Sequence, residues 1–77
     1  MNRTTLDKLW QDSEGLPPGF GCRVILANGA PGRSIYLGAG WMWRERSETQ
    51  HYVSTDGEYN HRRYLPADTV VELVKLP

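Results

Sequence analysis

This 77-residue chain is poor in the features that usually announce a function. It has one cysteine, Cys22, so no internal disulfide can staple it. A lone thiol fits a reducing compartment. Basic and acidic residues balance to a net charge of zero, whereas a general nucleic-acid binder usually carries a basic excess or stripe. Lysine is scarce: Lys8 and Lys75 are the only two, and the remaining cations are arginines. No apolar run approaches the roughly 18 residues of a membrane span. The opening Met-Asn-Arg-Thr-Thr-Leu-Asp holds no apolar signal segment. These gaps predict a cytoplasmic protein. No repeat, low-complexity stretch or second domain is visible, so residues 1–77 are expected to form one domain.

Catalytic and metal signatures are equally sparse. No nucleophile-elbow pattern surrounds a serine. Cys22, His51 and His61 are scattered, without the paired spacing of a zinc site, so neither a metal nor a cofactor is expected. The glycine-rich stretches 29–32 and 38–40 lack the Gly-Lys-Ser/Thr that would make a phosphate loop. No enzymatic activity is expected.

What is present is strand-forming pattern. Ile35, Leu37, Ala39, Trp41 and Trp43 alternate with Tyr36, Gly38, Gly40, Met42 and Arg44, the period of a strand with one buried face. Trp41 and Trp43 continue an apolar row, which favours a core role over a stacking platform for single-stranded nucleic acid. The two glycines fall opposite that row, where a sheet could bend around its core. Before this strand, residues 1–15 read as a helical segment. Thr4 or Thr5 caps it, Leu6, Leu9 and Trp10 share its inner face, and Gly15 stops it after about Ser13. Residues 16–21 form a stiff Pro/Gly connector. Residues 22–77 then carry the strands: 22–27, a turn-rich loop at 28–32, one long strand over 34–46, and 51–55 with 58–64 around Asp56-Gly57. A turn at 66–68 and a last strand over 70–76 complete the chain.

A two-residue turn at Asp56-Gly57 sets Tyr52 opposite His61, Val53 opposite Asn60 and His51 opposite Arg62. A four-residue loop at 47–50 sets Arg46 opposite His51. These registers sort Ile35, Leu37, Ala39, Trp41, Trp43, Tyr52, Tyr59 and His61 onto a core face. They sort Tyr36, Met42, Arg44, Arg46, His51, Val53, Asn60, Arg62 and Tyr64 onto an outward face.

The order hairpin, short turn, closing strand in Tyr52-Val-Ser-Thr-Asp-Gly-Glu-Tyr59, Leu65-Pro-Ala-Asp68 and Val70-Val-Glu-Leu-Val74 resembles the end of an SH3-like barrel. The resemblance covers about the last third of the chain and concerns architecture. It implies the shape and no binding residues. The expected fold is therefore mainly β: a small antiparallel SH3-like barrel or strongly coiled sheet with a short N-terminal helix.

Function is sought on the outward face. Arg46, His51 and Arg62 would line up across adjacent strands, and like charges directly opposite one another are destabilising. Either Glu48 and Glu58 neutralise them or an anionic partner does. Tyr36, Met42, Arg44 and Tyr64 extend the patch with residue types enriched at interfaces. The expectation is a non-enzymatic protein-binding module, an accessory or phage-type regulator or inhibitor of a larger protein. The alternatives are nucleic-acid binding through the same face, and self-association through an exposed last strand.

Overall fold

The computed structural model describes residues 3–13, 15–37 and 50–77. The chain begins with a short strand, β1 (Arg3–Thr5), continuing into helix α1 (Leu6–Ser13). Thr5 Oγ1 accepts a hydrogen bond from the backbone N–H of Lys8 at 3.2 Å, the geometry of an N-cap. The next free N–H groups of the helix do not face water. Leu6 donates to the carbonyl of Thr69 at 3.1 Å and Asp7 to that of Ala67 at 2.9 Å, so the start of α1 is tied to the turn at 66–69. Leu6 and Leu9 are buried and Trp10 packs on the core beside them, which is the inner face expected from their spacing.

Strands β2 (Phe20–Val24) and β5 (Val70–Lys75) pair antiparallel, and β1 pairs with the other edge of β5. The sheet order is β1-β5-β2. Strands β3 (Gln50–Val53) and β4 (Arg63–Pro66) form a second antiparallel sheet. Residues 36 and 37 stitch the two together. Tyr36 exchanges both backbone hydrogen bonds with Cys22, while Leu37 donates to Ser54 at 2.6 Å. Between the sheets and the helix lies a core of Leu6, Leu9, Cys22, Tyr36, Val53 and Val71, with His51 and Ser54 buried among them.

The mainly-β class with one short N-terminal helix holds. Of the two forms expected, the closed barrel is not realised: the described strands form two antiparallel sheets that do not close into a barrel. The connector is shorter than expected, because Phe20 and Gly21 already belong to β2. Strand β1 was not foreseen. The last strand is the centre of its sheet and not an exposed edge, so the self-pairing expected of it has no open strand side.

The hairpin register also differs. Tyr52 pairs with Tyr64, Val53 with Arg63 and His51 with Leu65, not with His61, Asn60 and Arg62. Asp56-Gly57 does turn the chain, and Gly57 takes the left-handed φ of 78°. But residues Tyr59–His61 then form a 3₁₀ turn instead of strand. The pairing shifts by an odd number of residues, which exchanges the faces of one strand relative to the other. His51 and Val53, expected outward, are 1% and 2% exposed, and Tyr36 is 6% exposed. His61, expected in the core, is exposed. The core placement expected of Ala39, Trp41 and Trp43 and the bend expected at Gly38 and Gly40 lie outside the described residues.

Candidate functional site

Of the residues expected to bind a partner, Arg62 and Tyr64 stay together on an accessible face, at the start of β4. Arg62 Nε donates to Tyr64 Oη at 2.7 Å, and its guanidinium carbon lies 5.6 Å from the centre of the Tyr64 ring. Tyr64 in turn meets Tyr52 edge-on, with ring centres 6.0 Å apart. The two tyrosines are direct cross-strand partners, which is why their rings touch. Met42, Arg44 and Arg46 lie outside the described residues.

His51 leaves the patch altogether. It sits beneath α1, 6.4 Å from the Trp10 ring and with Nε2 3.9 Å from the Asp7 carboxylate. Tyr36 is buried but not lost to the site, because its hydroxyl reaches the surface layer and accepts a hydrogen bond from Arg63 Nη1 at 3.1 Å.

That bond marks a cleft of about 220 Å³ where β2 ends and β4 begins. Arg33 and Arg63 stand on its rim, Ser34 and Tyr36 supply hydroxyls, and Val24, Leu26 and Leu65 form its apolar part. Leu26 is 50% exposed at this place. The turn that delivers Arg33 is built locally. Asn28 Oδ1 accepts from the N–H of Ala30 at 3.0 Å, Gly29 takes a φ of 87°, and Gly32 donates to Val24 at 2.7 Å. An Asx turn followed by a left-handed glycine reverses the chain tightly, bringing residue 33 back beside residue 24. Sequence reasoning missed Arg33 and Arg63. The Asn-Gly pair at 28–29 was the available signal for the turn, but no pattern linked it to β4.

The charge balance around this cleft is uneven. Among the described residues Arg3 lies 3.6 Å from Glu72 and Lys8 3.5 Å from Asp12, while Arg23 and Lys75, outside the cleft lining, have no carboxylate within ion-pair distance. Neither Arg33 nor Arg63 has a carboxylate within ion-pair distance among the described residues.

A second groove, of about 450 Å³, runs between the Leu16-Pro17-Pro18 connector, Leu37 and Leu76, with Asp56 and Glu58 at one side. Of its two acids, Asp56 is already committed. Asp56 Oδ1 accepts from Ser54 Oγ at 3.1 Å and from the N–H of Glu58 at 2.9 Å, and Oδ2 meets His61 Nδ1 at 2.5 Å. These donors hold the Asp56 carboxyl below its ordinary value, the Glu58 N–H contributing most and His61 next. The same contact raises His61. Cys22, by contrast, is inert: burial pushes its thiol up to about 12. Among the described residues no three His, Cys, Asp or Glu side chains converge as metal ligands.

No family model, no curated protein and no solved structure matches this chain. The functional reading rests on the geometry of the molecule itself. Among the described residues no helix is long and apolar enough to cross a membrane.

Proposed function

We propose that this chain is a non-enzymatic binding module that docks on a larger protein through the arginine–tyrosine face around β4, as a small accessory or regulatory component. The observation that carries the reading is that Arg33 and Arg63 line one cleft with no carboxylate within ion-pair distance among the described residues, in a chain whose net charge is zero. Arg62 and Tyr64, with Tyr52 beside Tyr64 on β3, form a separate patch that alternates with Arg63 and Leu65 along the chain. Arginine and tyrosine are the residue types that dominate binding energy at protein interfaces. Arginine also loses less than lysine on desolvation and stacks on aromatic rings. The balanced total charge and the small size of the cleft argue against a phosphate-tracking nucleic-acid groove, which would extend over many cations.

The test is site-specific photo-crosslinking in cells. A crosslinking amino acid replaces Leu26, at the mouth of the cleft, or Asp12, on the exposed side of α1. The reading expects a discrete protein adduct at position 26 and none at position 12. Adducts at position 12 alone, or to nucleic acid at position 26, overturn it.

A further inference from the structure

We infer that the cleft between Arg33 and Arg63 seats a carboxylate from the partner, carried on a glutamate or aspartate flanked by aliphatic residues. The inference rests on the docking reading above and names the chemistry that reading leaves open.

The two guanidinium groups border one cleft, and neither has a carboxylate partner among the described residues. An anion seated in the cleft is attracted by both cations that line it. Arg63 is held in place by its bond to the Tyr36 hydroxyl at 3.1 Å. That contact uses one Nη1 donor and leaves the other donors of the fork for a ligand. Because Tyr36 is itself buried and paired to Cys22 through its backbone, the post that orients Arg63 is part of the core. Less side-chain freedom is then lost on binding. The same cleft is also lined by the apolar side chains of Val24, Leu26 and Leu65. An acidic side chain brings a hydrocarbon stem and aliphatic neighbours to cover those groups. The cleft volume of about 220 Å³ accommodates one such side chain and not an extended strand of nucleotides.

The probe is acetyl-Leu-Glu-Leu-amide, titrated into the full chain while the arginine Nε–Hε resonances are followed by NMR. The control is acetyl-Leu-Gln-Leu-amide, and a short oligothymidylate is the nucleic-acid arm. Saturable shifts of the Arg33 and Arg63 signals are expected with the glutamate peptide, weakening as salt is added. Binding of the glutamine peptide should be about tenfold weaker or more, since a charge-assisted pair is lost. In R33Q/R63Q, where the backbone amides of the lining residues Ser34 and Leu65 serve as reporters in both proteins, the peptide-dependent shifts should vanish while the Leu6 and Val71 methyl signals stay in place, showing an intact core. Equal shifts with both peptides, no shift with either, or tighter binding of the oligothymidylate overturn the inference. A protein adduct at Leu26 that persists without any peptide-induced shift would leave the docking reading standing and remove the carboxylate seat alone.

Discussion

His61 Nδ1 and Asp56 Oδ2 lie 2.5 Å apart across the turn that joins β3 to β4. The pairing raises His61 above its ordinary 6.5, and the Glu58 N–H first and His61 second hold Asp56 below its ordinary 3.8. The histidine contribution to stability is complete below 6.5 and is lost as pH rises through the raised folded value. The aspartate contribution is present above 3.8 and is lost as pH falls through the lowered folded value. The pair therefore supports the turn most fully between 3.8 and 6.5. An NMR titration of the His61 ring should give a midpoint above 6.5, and Asp56→Asn should return it toward that value. An unchanged midpoint in the variant would contradict the contact.

Cys22 tests the centre of the molecule. It is fully buried between β5 and Tyr36, with its thiol held up to about 12. Ellman's reagent should label it only slowly in the native protein and at once in denaturant. Rapid native labelling would place the thiol at the surface.

Gly21 marks a close approach of backbones. A Cβ there would lie 2.8 Å from Ile35 Cγ2 and 2.9 Å from the Tyr36 carbonyl oxygen. That oxygen is fixed by its bond from Cys22, so the strain cannot be relieved by a side chain moving alone. Gly21→Ala should cost about 1–3 kcal/mol, the usual range for overpacking, measured by urea unfolding. A neutral result would show that residues 35–36 do not pack on β2.

Thr5→Ala removes the side-chain acceptor for the Lys8 N–H and should cost about 1 kcal/mol. The loss should appear as weaker protection of the Lys8 amide in hydrogen exchange. Undiminished protection would mean that the tie to Thr69 and Ala67 holds the helix start without its cap.

What was legible in the sequence divides along a physical line. Helix α1 was readable because its signals are local: a threonine cap, apolar residues at helical spacing and a glycine beyond the end. The turn at 66–69 and strand β5 were readable for the same reason. Strand β1 was not, since Arg3-Thr4-Thr5 has no apolar alternation and becomes a strand only through Val70, Val71 and Glu72. The hairpin was half-legible. Asp56-Gly57 did promise a turn, but the Asp56 side chain gathers Ser54, Glu58 and His61. That local competition with ladder pairing draws 59–61 into a 3₁₀ turn and shifts the register. The shift buried His51 and left Arg62 and Tyr64 accessible. Arg33 and Arg63 are distant in sequence and meet only through the fold, so no spacing rule could have joined them.

The central claim is that the arginines of the β4 cleft carry recognition. The most direct measurement is the affinity of the protein crosslinked at Leu26 for the wild-type chain and for Arg33→Glu/Arg63→Glu, with Lys8→Glu/Lys75→Glu as a charge-matched control. The account predicts a loss of about 3 kcal/mol or more in the double variant, little change in the control, and Cys22 protected in both. Undiminished affinity in a double variant that keeps Cys22 protected would contradict it.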